Sequence, residues 1–262
     1  MKYGILTMYN AFGAPVYHIG ETASTMEDAK LLAEAGAVDG TVIQADYQSA
    51  GRGRVDGRTW EAKAGNNLLC TVILRRPPVN GFTLRVGLAA ALAFDAFLPA
   101  DCTTRIKWPN DVLFRGRKLA GILCENSGPF LYVGTGLNIA QTDFPPEIEK
   151  KAASLESVLR ELRAEGNLDV RAGPDTGKVL TVYLEKLKQV LGMENWNEAV
   201  TEKLYRRGEK IRFLGGDPGK NQIVEGYLEG IGVAGELLVR PEGRAGTVGD
   251  GLLHLYSGEI PY

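Results

Sequence analysis

Glycine is what most restricts the folds open to this sequence. It supplies 33 of 262 residues, where an average share of about 7% would give roughly 18, and the excess is localised. Glycines gather in Gly51-Arg52-Gly53-Arg54-Val55-Asp56-Gly57-Arg58, in Gly134-Thr135-Gly136, and in the last third of the chain at 215–219, 226–235 and 243–251. The first two clusters lie between segments that read as strands, where a missing side chain permits close approach of backbone or ligand. The third, mixed with Pro, Asp and Asn between short apolar runs, reads as a series of tight turns.

Charge and cysteine usage exclude several classes. With 30 Lys and Arg against 32 Asp and Glu, the formal net charge is −2, so no global basic field draws the protein to nucleic acid or an anionic membrane. Cys70, Cys102 and Cys124 are widely spaced and form no C-x-x-C pair, which suggests neither a disulfide framework nor a structural zinc site and fits a reducing cytoplasm. His18 and His254 are the only histidines, so a histidine metal centre is close to excluded and a Ser-His-Asp hydrolase is poorly motivated. The longest apolar run, Val86 to Phe94, is far short of the roughly 20 residues of a membrane helix. No secretory signal pattern opens the chain, and a soluble cytoplasmic protein is expected.

Along the chain, Val16 to Gly20 reads as a strand, and Ser24-Thr25-Met26-Glu27 as a capping box before a helix from Met26 to Ala37. Thr41 to Ala45 and Leu68 to Leu74 are strands; Phe82 to Leu98, apolar nearly all round, is a buried helix that Pro99 stops. Thr103 to Trp108, Asp111 to Phe114, Leu119 to Glu125 and Phe130 to Ile139 predict a four-stranded meander. Pro145 and Pro146 open a helical region that continues through Lys178 to Leu191 and Trp196 to Tyr205. From Gly208 the pattern changes to short strands: Ile211 to Leu214, Ile223 to Leu228, Glu236 to Arg240, Ala245 to Val248 and Leu252 to Tyr256, as in a small antiparallel barrel. A domain boundary at 207/208 follows.

Two segments concentrate chemistry. In Gln48-Ser49-Ala50-Gly51-Arg52-Gly53-Arg54 the glycines let the backbone close on an anion while guanidinium forks bond it, so phosphate or carboxylate is the natural guest; a solvated basic turn is the plainer reading. No Gly-Lys-Ser/Thr follows, so this is not a Walker A loop. Lys107-Trp108-Pro109-Asn110-Asp111 packs a cation, an indole and two polar side chains into one strand-to-strand turn. A core role for Trp108 and turn bonding by Asn110 and Asp111 account for all of it except a lysine on an apolar strand. Lys118 begins the next strand but one, and a hairpin over Asp111 to Lys118 lets both lysines reach one face.

The stretches Y-Q-S-A-G-R-G-R (47–54), K-W-P-N-D (107–111), R-K-L-A-G-I-L (117–123) and V-G-T-G-L-N-I (133–139), with Ser24-Thr25 ahead of them, resemble biotin protein ligase in content, order and separation. The resemblance covers most of residues 20–140. It implies an α+β fold, a mixed β-sheet with helices of the class II synthetase-like type (1–207), followed by a small SH3-like β-barrel (208–262). It further implies an enzyme that uses ATP and Mg2+ to convert biotin to biotinyl-5′-AMP and then joins biotin to a lysine of a biotin carboxyl carrier protein. Carried over by position, Ser24, Thr25 and Gln48 would hydrogen-bond biotin. Arg52, Gly53 and Arg54 would close over it, with Lys118 and Gly121 at its carboxylate end. Lys107 would neutralise the α-phosphate, and Gly51, Arg52, Arg54, Asn110 and Asp111 would order the phosphate region. Trp60 would face adenine and Asn138 would line the nucleotide pocket. Lys118, Lys107 and Arg54 are the catalytic candidates; metal ligands are not identified.

The departures are specific. The family's G-R-G-R-x-G-R-x-W loop is here one residue longer, with Val55-Asp56 before Gly57-Arg58-Thr59-Trp60. Met26 stands where many members carry Asn, and Leu253 to Tyr256 lacks a basic residue that some direct toward ATP, so no catalytic role is expected of the C-terminal module. The catalytic pattern begins within about 20 residues of Met1, leaving no room for a winged helix, so DNA binding is not expected; homodimerisation is plausible by resemblance. Two rivals are a lipoate or octanoate protein ligase of the same fold and a noncatalytic RNA-binding module using the Gly/Arg loop and barrel. The net charge and the lack of an aromatic-basic platform count against the latter.

Overall fold

Eight strands between Gly4 and Asn138 assemble into one sheet in a computed structural model that describes residues 3–55, 57, 59–60, 62–166, 175–216, 223–242 and 251–261. They are β1 (Gly4–Leu6), β2 (Val16–Thr22), β3 (Val42–Gln48), β4 (Asn67–Arg75), β5 (Arg105–Lys107), β6 (Asp111–Phe114), β7 (Arg117–Ser127) and β8 (Phe130–Asn138), in the order β1-β2-β3-β4-β8-β7-β6-β5. Only β2 and β3 run parallel, across the crossover helix α1 (Thr25–Glu34), so the sheet is mixed. The β5 to β8 portion is the predicted meander. Both edge strands are three residues long, a length that gives little template for pairing with another chain.

Helices cover the two faces. Met26, Ala29 and Ala33 of α1 pack on Ile43, Ile73 and Tyr132 on one side. On the other, α4 (Thr176–Leu191) packs on β4 and α2 (Phe82–Asp95) on β5, β6 and β7, in one apolar cluster with Leu68, Cys70, Val72 and Leu74. β4 is thus apolar on both faces, which is why its sequence is a near-continuous hydrophobic run rather than an alternation. The all-round apolar character of α2 has the same cause, since ten of its residues are buried between sheet, α4 and α5 (Trp196–Glu202). It ends at Asp95 rather than Leu98: the Asp95 carboxylate accepts from the Thr104 N–H at 2.8 Å and ion-pairs with Lys203, while Phe97 and Leu98 tighten into i→i−3 turns.

Two other expectations shift. The region after Pro145 is not helical until α3 (Leu155–Ala164), because residues 151–153 spend their backbone groups on a bridge to Lys118: Lys118 N–H donates to Lys151 C=O at 2.7 Å, and Ala153 N–H to Lys118 C=O at 2.9 Å. The reciprocal capping box belongs to Ser154 and Ser157 of α3. At α1, Ser24 caps by accepting from Met26 N–H, and Glu27 turns outward to Lys30 and Arg52 instead of closing a box.

The C-terminal strands β9 (Lys210–Gly215), β10 (Ile223–Ile231), β11 (Leu237–Pro241), β12 (Leu253–Leu255) and β13 (Gly258–Glu259) form an antiparallel sheet in the order β12-β11-β10-β9-β13. Among the described residues this sheet is open, not the closed barrel expected, and the strand predicted over Ala245 to Val248 lies outside them. Its inner residues Ile211, Phe213, Leu228 and Ile260 join the same apolar cluster as α2 and Trp108. The Trp108 indole N–H donates to Gly235 C=O at 3.1 Å, and its ring sits 5.8 Å from that of Phe213.

The β10–β11 turn fits because Gly235 (φ +93°) meets Gly81 (φ +62°), whose own Cβ would overlap the Trp196 ring. Gly81→Ala is therefore expected to destabilise the protein by about 2–4 kcal/mol. Gly20→Ala, whose Cβ meets open space, should stay within about 0.5 kcal/mol of the native value. Urea denaturation midpoints check both.

Candidate active site

On the sheet face that carries α1, three backbone positions lack side chains where neighbouring strands pair. Gly121 of β7 stands opposite Gly136 of β8, and Gly134 opposite Thr71 of β4. The gap opens a cavity of about 670 Å3 lined from α1, β3, β4, β5, β7 and β8, a size usual for small-ligand sites. The half-buried Trp60 indole lies in this trough. A Cβ on Gly136 would come within 2.5 Å of it, and one on Gly121 within 2.8 Å of the ring and 3.1 Å of Lys118 Nζ. A Cβ on Gly134 would meet Met26 Cε at 2.8 Å. The second glycine cluster thus keeps the floor bare, and the indole Nε1–H there is buried without a hydrogen-bond partner.

One end of the cavity is uncharged and polar. Ser24 and Thr25 stand at the start of α1, and Gln48, at the end of β3, accepts from Thr25 N–H at 2.7 Å and from Thr25 Oγ1–H at 2.9 Å. The other end is cationic. Lys107, buried at the end of β5, and Lys118, at the start of β7, both line the cavity. Asp111 links them: it pairs with Lys107 in the β5–β6 register, and its carboxylate meets Lys118 Nζ at 2.7 Å. The Lys118 ammonium also stands 5.4 Å from the Trp60 ring centre. Trp108-Pro109 is a cis peptide, and the next residue, Asn110, donates from Nδ2–H to Ile122 C=O at 3.0 Å. Asn138 donates to Ala153 C=O at 3.0 Å and Lys118 C=O at 3.3 Å, leaving its buried Oδ1 as an acceptor without a partner in the cavity wall.

The Gly/Arg loop forms the mouth, held by the Arg52–Thr59 bridge. Gly53 and Arg54 line the cavity, and Arg54 Nη2–H donates to Gly258 C=O of the C-terminal sheet at 3.3 Å. Arg52 reaches the rim, but its guanidinium is directed outward to Glu27 at 2.6 Å and Glu125 at 3.5 Å. Gly51 is off the lining, buried beneath Trp60, whose N–H it accepts at 3.1 Å. Arg58 lies outside the described residues.

Sequence reasoning missed several wall residues. Glu259, Ile260 and Pro261 arrive because β13 pairs with β9, and Phe144, Ile148 and Lys151 because the stretch after β8 folds back on Lys118. Neither pairing leaves a local signal. Thr71 was also passed over, since a threonine in a β-rich run reads as ordinary strand.

This arrangement suits joining two anions rather than attack by the protein. His18 and His254 lie elsewhere, bonded to Asp46 and Glu236. Cys70 lines the cavity, but burial pushes its thiol up to about 12, so no useful thiolate fraction exists near neutrality. Among the described residues no three His, Cys, Asp or Glu side chains cluster as a metal site.

Residues 21–135 match the biotin/lipoate A/B protein ligase family. The chain is 34% identical to the biotin--[acetyl-CoA-carboxylase] ligase of Mycobacterium tuberculosis, over 90% of its own length and 88% of that protein's. It is 37% identical to the ligase of that name from Paracoccus denitrificans over 53% of this chain and 61% of the other. Its structure is similar to that of the biotin protein ligase from Aquifex aeolicus in complex with biotin and ATP, with a TM-score of 0.74 and 27% identity over 94% of this chain and 97% of that one.

If the bare floor seats Trp60, Gly136→Ala should expel the indole and shift tryptophan emission to the red. The shift should vanish in a Trp60→Phe background, since Trp108 and Trp196 are already packed in the apolar core.

Proposed function

This chain belongs to the biotin/lipoate A/B protein ligase family, and on that premise we propose that it is an ATP-dependent biotin protein ligase. It activates biotin to biotinyl-5′-AMP and transfers the biotinyl group to a lysine of a biotin carboxyl carrier protein domain. The observation that carries this reading is one cavity with a neutral polar end and a cationic end, its two lysines drawn from separate strands.

In the first step a biotin carboxylate oxygen bonds to the α-phosphorus of ATP as the bond to the bridging oxygen breaks and pyrophosphate departs. Two unit like charges about 4 Å apart repel by about 4 kcal/mol at an effective dielectric of about 20, or about three orders of magnitude in rate. Lys118 beside the carboxylate and Lys107 beside the α-phosphate offset that repulsion and stabilise the charge that builds on the phosphate oxygens. Asp111 holds the Lys118 ammonium in place. In the second step the carrier lysine amine bonds to the acyl carbon and AMP leaves; Arg54 at the mouth retains the adenylate until then.

The oxygen donors of Asp111 and Asn110 fit a Mg2+ that arrives on the nucleotide, for this ion keeps most of its shell as water and phosphate and takes one or two protein carboxylates. Bound there, it would supply charge neutralisation on the departing pyrophosphate. Asn138 Oδ1, buried and without a partner, suits an exocyclic amine of the base. We read the chain as a catalytic domain of 1–207 with an SH3-like module of 208–262 appended, although its described strands form an open sheet, and the Glu259 to Pro261 edge closes the nucleotide side. The enzyme acts in the cytoplasm, where ATP and the carrier are found.

Labelled-biotin transfer to a carrier domain, run beside lipoate, tests the reading: ATP-dependent transfer of biotin is expected, and preferential transfer of lipoate would overturn it. Lys118→Ala should slow adenylate formation by about a hundredfold or more; a near-native rate would remove Lys118 from the mechanism. Arg54→Ala should release biotinyl-5′-AMP into solution faster, and unchanged retention would reduce the loop to a turn.

A further inference from the structure

At the neutral end of the cavity, three side chains form a hydrogen-bond relay whose direction follows from donor and acceptor chemistry alone. The Thr25 backbone N–H can only donate, so the Gln48 amide atom 2.7 Å away is the oxygen, and the orientation of that amide is fixed. The Thr25 hydroxyl lies 2.9 Å from the same oxygen and must point its single proton there. Thr71 Oγ1 lies 2.9 Å from Thr25 Oγ1. Because the Thr25 proton is already committed, the proton in this contact belongs to Thr71. The relay runs from Thr71 through Thr25 to Gln48, and Thr71 at its head is wholly buried on β4.

The relay sets what a ligand meets. Thr25 can offer only an oxygen lone pair, and Gln48 only its amide N–H groups. The Ser24 oxygen accepts from Met26 N–H at 3.3 Å, which frees its own proton to donate. A cyclic urea can use both kinds of group: its carbonyl oxygen accepts from Ser24 or Gln48, and one ring N–H donates to the Thr25 oxygen. Were Thr71 apolar, the Thr25 proton would still point to Gln48, but its oxygen would lose the second of the two partners that together fix where its remaining lone pair aims.

We propose that Thr71 is a positioning residue for ligand selection: by donating to Thr25 it keeps that hydroxyl oriented to accept from a ureido N–H. The proposal rests on the biotin ligase reading above and deepens it.

Thr71→Val preserves shape and removes the hydroxyl; Thr71→Ala does the same should the valine unseat α1. Either variant should raise the Kd and KM for biotin about tenfold, the worth of one well-placed buried hydrogen bond. The kcat should stay within about twofold and ATP affinity should not change, while Thr71→Ser should return biotin KM to within about threefold of native. N-methylation of the ureido nitrogen should weaken biotin binding to the native enzyme more than to Thr71→Val. An unchanged biotin KM in the variants, an equal loss for ATP, or no rescue by serine would make Thr71 a packing residue and overturn the proposal. Failure of the native enzyme to transfer biotin would instead overturn the functional reading.

Discussion

Where β7 and β8 pair, Gly121 faces Gly136, and two strands of an otherwise filled sheet present bare backbone to α1. A single methyl at either position would strike the indole that lies there. A close-packed interior leaves few voids larger than a water molecule, so a ligand-sized hollow has to be built by leaving side chains out. The hollow exists because the sheet register aligns glycines from two motifs that are separate in sequence. Lys118, three residues before Gly121 on β7, reaches the wall beside them across the irregularity in the β6–β7 register between Val112 and Leu113.

The second constraint is electrostatic and local. A protein of net charge −2 gathers Lys107, Lys118 and Arg54 around one cavity, while other cations are paired on the surface, as in the Arg115–Glu165 and Arg117–Glu161 bridges. Water-screened pairs of that kind contribute little to stability. Cations in a partly enclosed cavity are screened less and act more strongly on a developing negative charge. Asp111, ion-paired with Lys118 at 2.7 Å and opposite Lys107 in the β5–β6 register, sets a negative charge beside the two lysines.

Much of this was legible in the sequence, and what was not has a common cause. The strands from Leu68 to Ile139 declare themselves by β-rich runs between Pro-Asn, Arg-Gly-Arg and Ser-Gly-Pro breaks, and the four motifs mark the floor and both lysines. The three-residue β1, with Ile5 exposed, has too short a pattern to register. The delay of α3 to Leu155 depends on backbone bonds to Lys118, and the Glu259 to Pro261 wall on pairing with Gly215, so local propensity carries neither. The outward turn of Arg52 depends on Glu27 and Glu125 meeting across the fold. The Thr71 relay is a matter of hydrogen-bond direction, which composition and periodicity do not encode.

A crystal structure of the protein with a non-hydrolysable analogue of biotinyl-5′-AMP bears most directly on the account. The analogue should lie along the Gly121–Gly136 floor with its ring system against Ser24, Thr25 and Gln48. Its acyl-phosphate junction should fall between Lys118 and Lys107, and the Trp60 indole should be displaced from the trough. Density for the analogue elsewhere, or a junction out of reach of both lysines, would contradict it.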